Sequence, residues 1–176
     1  MKKGLTFLTL LLATSVATVK AQVVEKGTNM INAGIGIGGN YGGWSNTSSI
    51  PQISASFERG MWEIGGPGVI TLGGYIGHKG YKIKDSDYKW SWTTIGARAA
   101  YHFNGFDIEK LDVYGGTMLG YNIYSSSYDT YGGSGLSLSG FIGGRWMFAN
   151  NIGVYAEIGG GGYNFSVLNA GVTFKF

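Results

Sequence analysis

From Thr28 to the last residue the chain alternates apolar with polar or small positions at a period of two, and turn-forming stretches break this pattern into eight runs. A two-residue period places one set of side chains on each face of a strand. The first run, Thr28 to Gly38, sets Ile31, Ala33, Ile35 and Ile37 against Asn32, Gly34, Gly36 and Gly38. In the second, about Ser49 to Arg59, Ile53, Ala55 and Phe57 oppose Ser54, Ser56 and Glu58. The third, about Gly68 to His78, has Ile70, Leu72 and Ile76 opposite Thr71, Gly73 and Tyr75; the fourth, Trp92 to Phe103, has Ile95, Ala97, Ala99, Tyr101 and Phe103 opposite Gly96, Arg98, Ala100 and His102. The fifth spans Asp112 to Tyr124, with Val113, Thr117, Leu119, Tyr121 and Ile123 facing away from Tyr114, Gly116, Met118, Gly120 and Asn122. The sixth, Gly135 to Phe148, places Leu136, Leu138, Ile142, Trp146 and Phe148 opposite Ser137, Ser139, Gly143 and Arg145. The seventh, Ile152 to Gly159, separates Val154, Ala156 and Ile158 from Tyr155 and Glu157, and the eighth is Asn169 to Phe176. No segment after Gln22 has helical spacing. Strands of about 10 residues match what a tilted strand needs to cross a bilayer.

The connections fall into two kinds. Gly60 to Pro67, Asn104 to Leu111 and Ala149-Asn150-Asn151 are tight, whereas Tyr41–Ser48, Lys79–Lys89, Ser125–Ser134 and Gly160–Phe165 are rich in Ser, Tyr, Asp and Gly. Alternation at the turn 149–151 fixes a register. A two-residue turn would oppose one face to the other, while a three-residue connection pairs Phe148 with Ile152 and sets Arg145 opposite Tyr155, with Glu157 on a diagonal. The second register is expected.

Composition sharpens this picture at three points. Lys2 and Lys3 precede an apolar run from Leu5 to Ala13, and small residues lead to Ala21, the pattern of a secretory signal peptide over residues 1–21 cleaved before Gln22. Three of the 13 basic residues leave with it, so ten basic and ten acidic residues remain, and the precursor's basic character gives no argument for nucleic acid. There is no cysteine, which excludes a disulfide framework and thiolate metal sites. The 33 glycines are interleaved with apolar residues at period two, unlike those of a disordered chain.

The last strand carries the most specific signal. Ala170, Val172, Phe174 and Phe176 share one face, opposite Asn169, Gly171, Thr173 and Lys175, and the sequence stops on an aromatic. Asn169, Gly171, Phe174 and Phe176 fill the places of polar-x-Gly-x-x-aromatic-x-aromatic, so this stretch resembles the terminal strand of bacterial outer-membrane β-barrels. The chain is similar to the small OmpA/OmpX-like, porin-like barrels of the Gram-negative envelope. The resemblance implies an all-β fold, an eight-stranded antiparallel transmembrane up-and-down barrel over residues 22–176, monomeric and without cofactor. It implies both termini on the periplasmic side, contact with outer-membrane lipid and lipopolysaccharide, and recognition of the C-terminal strand by the barrel-assembly machinery. Under that orientation Phe57, Tyr101, Phe103, Trp146, Phe148 and Phe174, with Phe176, all have lipid-facing parity near the periplasmic ends of their strands, as a girdle of interfacial aromatics requires. Trp90 and Trp92 instead have lumen parity, so they are expected above the bilayer or in a strand shifted by a bulge.

Candidate chemistry follows from the lumen face. Glu58, Arg98, Arg145, Glu157 and Lys175 point inward with His102, and an eight-stranded barrel is just wide enough for side chains to fill. Buried charges must pair, so a salt-bridge network is expected, with Arg145–Glu157 as its central contact. The alternatives are a gated ion path or proton relay, a lipid A acyl hydrolase or acyl transferase, and a soluble lipocalin-like binder. Acyl chemistry needs a nucleophile, a base and an orienting acid. His78 is the histidine nearest the outer leaflet, and no Ser and acid on neighbouring strands complete a triad with it, so no catalytic residue is assigned. Gly34-x-Gly36-x-x-Gly39 lacks the preceding strand and following helix of a dinucleotide site. Asp85 and Asp87 among Lys82, Lys84 and Lys89 read as a solvated loop, with a lipopolysaccharide or metal contact as the sharper alternative; no metal site is assigned. Asn46-Thr47-Ser48 and Asn164-Phe165-Ser166 read as ordinary loop residues. The outer-loop aromatics Tyr41, Trp44, Tyr81, Tyr88, Tyr128, Tyr131 and Tyr163 suit a partner or glycan, or interface anchoring. The reading that results is a structural or surface-interaction barrel with a filled lumen, and not an enzyme.

Overall fold

The computed structural model describes residues 22–39, 46–106, 108–127, 133–161 and 166–176. Residues 1–21, the expected signal peptide, lie outside the described residues, as do Tyr41, Trp44, Tyr128, Tyr131, Tyr163, Asn164 and Phe165. Nine strands are formed among the described residues: β1 (Asn29–Ile37), β2 (Thr47–Ser49), β3 (Gln52–Ile64), β4 (Gly68–Ile83), β5 (Lys89–Phe103), β6 (Leu111–Ser126), β7 (Gly135–Met147), β8 (Ile152–Gly160) and β9 (Leu168–Lys175). Eight of them are staves. Each stave pairs antiparallel with its neighbour in the chain, and β1 pairs with β9 from Met30↔Lys175 to Ile37↔Leu168, which closes the sheet. The short β2 adds to the C-terminal end of β4, away from the chain termini. Closure leaves no free edge at the terminal strand, where Phe176 and Asn29 exchange two backbone hydrogen bonds of 3.0 Å.

The alternation is inverted relative to a water-soluble barrel. Leu136, Leu138 and Ile142 on the outer face are 74%, 67% and 66% exposed, while Arg145 and Glu157 in the lumen are each 1% exposed. A soluble binder would bury the first set and solvate the second. A lipid-facing exterior around a packed polar interior satisfies both.

The staves are not of equal height. β4, β5 and β6 run for 16, 15 and 16 residues, whereas β1, β8 and β9 have 9, 9 and 8. Two of the expected loops are therefore largely ladder. β3 and β4 pair down to Ile64↔Gly68, past an irregularity between Gly60 and Trp62, so the tight connection shrinks to Gly65-Gly66-Pro67. At Gly66 φ is +139°, a conformation that favours glycine. At the other end β4 and β5 stay in register to Lys82↔Lys89 with no bulge. Trp90 and Trp92 hence keep their lumen parity and cap the tall side from within. Trp90 stacks on Tyr81 at 5.2 Å and Trp92 leans on Tyr124 at 4.7 Å, so Tyr81 is a buried stave residue and not a loop residue. At the opposite end the β7–β8 register is Arg145↔Tyr155 and Trp146↔Val154, the three-residue turn solution.

Candidate functional site: a sealed charge cluster in the lumen

Polar side chains fill the lumen along its length. In the half away from the termini Gln52 Nε2 donates to the Tyr75 hydroxyl at 2.5 Å, Asn169 Nδ2 to Ser54 Oγ at 3.0 Å and Thr94 Oγ1 to Asn122 Oδ1 at 2.6 Å. The charges collect nearer the termini, in two rows that glycine makes possible. Glu58 on β3 and Arg98 on β5 both lie opposite Gly73 of β4. With no side chain between them, Arg98 Nη2 reaches Glu58 Oε1 at 2.9 Å. Likewise Tyr114 on β6 and Glu157 on β8 flank Gly143 of β7, and the Tyr114 hydroxyl donates to Glu157 Oε1 at 2.9 Å. A Cβ at Gly143 would stand 2.7 Å from the Tyr114 ring.

The rows are joined across the barrel. Arg98 Nη2 also donates to Glu157 Oε1 at 2.7 Å, and its guanidinium lies 4.1 Å from the centre of the Phe141 ring. Arg145 Nη1 donates to Asp112 Oδ2 at 2.5 Å and its Nη2 to Asn32 Oδ1 at 3.2 Å, with Glu58 Oε2 at 3.7 Å. His102 stands between the remaining acids, Nδ1 at 2.9 Å from Asp112 Oδ1 and Nε2 at 3.4 Å from Glu58 Oε2. Three carboxylates thus face two guanidiniums and one imidazole, and a proton on both nitrogens of that ring brings the cluster to zero net charge. Charge balance is what makes these buried groups tolerable, although both Glu58 oxygens, Glu157 Oε2 and the Nε atoms of Arg98 and Arg145 have no hydrogen-bond partner among the described residues.

Of the lumen residues expected from the sequence, Glu58, Arg98, Arg145 and Glu157 come together here. Two expectations need correction. Arg145 does not bind Glu157: Asp112 is its direct cross-strand partner, whereas Tyr155 stands opposite Arg145 on the β8 side and Glu157 is held by Arg98 and Tyr114. Lys175 is not in the cluster; it lies at the rim, its Nζ 3.5 Å from the Gln22 carbonyl oxygen. Asp112 was missed, although it shares the parity of Tyr114 at the first turn of its run.

A second feature has no periodic signal at all. Residues 22–28 fold across the mouth at the termini end. Val23 and Val24 are 3% and 0% exposed and pack on Met30, Val69 and Met147. Asn104 Nδ2 donates to Gln22 Oε1 at 2.8 Å and to the Val24 carbonyl at 3.1 Å, and the Gly27 amide donates to Gly60 O at 2.8 Å. Met30 links this plug to the cluster, its sulfur 3.1 Å from Arg145 Nη1.

The arrangement includes one sequence of groups with catalytic form: Thr71 Oγ1 is 3.1 Å from His102 Nε2, whose Nδ1 meets Asp112. All three are at most 2% exposed, beneath the plug, so no substrate carbonyl reaches them. His78 Nδ1 is 2.9 Å from Thr93 Oγ1 on the outer face, and among the described residues no carboxylate pairs with it. On the outside, Phe57, Tyr101, Trp146, Phe148 and Phe174 are exposed around the termini end, while Phe103 is half-buried and meets Phe106 edge-on at 5.0 Å. Gly171 lies opposite Gly34 at the closing seam, where a Cβ would stand 2.5 Å from the Gly34 Cα, and Asn169 is held by Ser54.

This is the architecture of the small transmembrane β-barrels of the bacterial outer membrane. No family model matches the chain and no curated protein matches it by sequence. Solved structures do. OprG from Pseudomonas aeruginosa superposes with a TM-score of 0.56 at 11% identity, over 87% of this chain and 97% of that one. Ail from Yersinia pestis gives 0.51 at 15% identity, over 86% and 100%. Neisserial surface protein A gives 0.50 at 18% identity, over 85% and 96%. At these identities the likeness is one of fold.

Proposed function

We propose that the mature chain, residues 22–176 after cleavage of 1–21, is a monomeric outer-membrane barrel with periplasmic termini and a closed, non-conducting lumen. It serves the envelope as a structural and surface-interaction protein and catalyses no reaction. Lipid and lipopolysaccharide surround the girdle of Phe57, Tyr101, Phe103, Trp146, Phe148 and Phe174, and the barrel-assembly machinery reads Asn169, Gly171, Phe174 and Phe176. The observation that carries this reading is the sealing of the lumen at two levels, by the Val23–Val24 plug and by the Glu58–Arg98–Glu157 and Asp112–Arg145 pairs behind it. An ion on the axis would have to displace an apolar plug at one level and desolvated charge pairs at the other.

The test is single-channel conductance of the refolded mature protein in a planar bilayer. Silence or rare small openings support the closed lumen; stable openings that Arg145→Ala enlarges would make the interior a gated channel. The lipid-modifying alternative is tested separately, by lipid A acyl-chain analysis of cells with and without the protein. An unchanged pattern is expected, and a change abolished by His78→Ala would overturn the non-enzymatic reading.

A further inference from the structure

The tall side of the barrel places three lysines at a defined height. On the outer face of the β4–β5 pair the cross-strand partners run Ile70↔Tyr101, Leu72↔Ala99, Gly74↔Ala97, Ile76↔Ile95, His78↔Thr93, Gly80↔Ser91 and Lys82↔Lys89. Apolar pairs give way to a polar pair whose two members bond each other at 2.9 Å, then to small residues, then to two ammonium groups. The path from Ile70 to Lys82, at about 3.3 Å per residue and about 40° of tilt, rises about 30 Å along the barrel axis. The apolar band of such a barrel is about 25 Å tall. Measured from the Tyr101 girdle level, Lys82 and Lys89 therefore stand about 5 Å beyond the hydrocarbon, in the headgroup layer.

These ammonium groups oppose each other directly, an arrangement that destabilises an antiparallel pair unless something neutralises it. Lys82, Lys84 and Lys89 are exposed, and among the described residues no carboxylate, including those of Asp85 and Asp87 at the hairpin tip, forms an ion pair with them. The backbone beneath is nevertheless fixed. The Lys84 amide donates to Asn46 O at 2.8 Å, Ile83 N to Tyr88 O at 3.1 Å, and Lys89 N to Ser127 Oγ at 3.0 Å. A hydrogen-bonded ladder thus carries cations side by side, without a carboxylate partner among the described residues, directly above Ile76, Ile95 and the neighbouring Tyr121, which is cross-strand to Ile95.

We infer that Lys82 and Lys89, with Lys84 beside them, bind the phosphate of an outer-leaflet glycolipid whose acyl chains lie on the apolar face below. The inference rests on the proposed placement of the termini in the periplasm, which turns this hairpin outward. Lysine suits the task as a mobile point charge that meets phosphate without a fixed bidentate geometry.

The test compares retention of two probes, bisphosphorylated lipid A and the same lipid A stripped of its phosphates, on the detergent-refolded mature protein by native mass spectrometry. The wild type should prefer the phosphorylated form. Lys82→Gln/Lys89→Gln should weaken its retention about thirtyfold, the loss of two surface lysine–anion contacts, and Lys82→Arg/Lys89→Arg should restore it. Equal retention of the two probes, indifference to the glutamine pair, or full displacement of lipid A by millimolar inorganic phosphate would each overturn the assignment. The topology is read independently. The chain has no cysteine, so Asp87→Cys in whole cells reports the side of the membrane through a membrane-impermeant thiol reagent. Labelling without lipid discrimination refutes the lysine site alone, whereas absence of labelling refutes the topology and the site with it.

Discussion

Replacing Arg145 by Ala removes the guanidinium that holds the cluster's centre, and the structure sets the expected cost. Arg145 is 1% exposed and bonds Asp112 Oδ2 at 2.5 Å and Asn32 Oδ1 at 3.2 Å, with Glu58 Oε2 at 3.7 Å. Its loss leaves Asp112 with only His102 as a charged partner and deprives the Asn32 oxygen of its donor. Breaking a buried pair on one side costs about 3–5 kcal/mol, because the surviving charge stays desolvated. Removing both charges, as in Asp112→Asn/Arg145→Met, should recover most of that loss, since an apolar or neutral replacement avoids the stranded carboxylate. The assay is equilibrium unfolding in urea of the refolded barrel in detergent micelles, followed by tryptophan fluorescence and by the shift between folded and unfolded bands on a gel. A double-mutant cycle then identifies the partner. Coupling of Arg145 to Asp112 is expected at about 2–3 kcal/mol, and coupling to Glu157 at under about 1 kcal/mol, because Glu157 is bound instead by Arg98 and Tyr114. A loss below about 1 kcal/mol in the single variant, or stronger coupling to Glu157 than to Asp112, would refute this assignment of partners within the cluster.

Two further outcomes probe the seal and the packing. Val23→Ala/Val24→Ala should destabilise the barrel by about 2–3 kcal/mol in the same urea assay, from the apolar volume withdrawn from Met30, Val69 and Met147; deletion of residues 22–28 should still leave the planar bilayer silent, because the charge cluster remains behind the plug. Gly143→Ala should cost about 1–3 kcal/mol by driving a methyl group into the Tyr114 ring, and an unchanged urea midpoint would show that the Tyr114–Glu157 bond does not need the glycine gap.

The architecture was legible in the chain because a strand's two faces are written at period two. Ile31, Phe57, Ile95, Leu138 and Val154 mark the outer face, and Glu58, Arg98 and Glu157 the inner, with no knowledge of what stands next to what. The length of a single turn, Ala149-Asn150-Asn151, even fixed one register, since a one-residue slip would have turned a whole face outward. Stave height was less legible. Period two continues through Tyr81, Trp90 and Trp92, but bulky rings with lumen parity and nearby Asp and Ser read equally well as a loop.

What only the tertiary structure decided is the choice of partners. Arg145 could be assigned to the lumen from parity alone, yet whether it meets Asp112, Glu157 or Glu58 depends on relative register and on which intervening position is glycine. Gly73 brings Glu58 to Arg98, and Gly143 brings Tyr114 to Glu157. Other contacts of the cluster join residues as far apart as Asn32 and Arg145, 113 positions, across the closed ring. The plug is decided in the same way: Gln22–Thr28 has no alternation to read, and Val24 is buried only because barrel closure brings Asn104, Met30 and Met147 around it. Local periodicity records which way a side chain points. What it touches when it gets there is a property of the closed barrel.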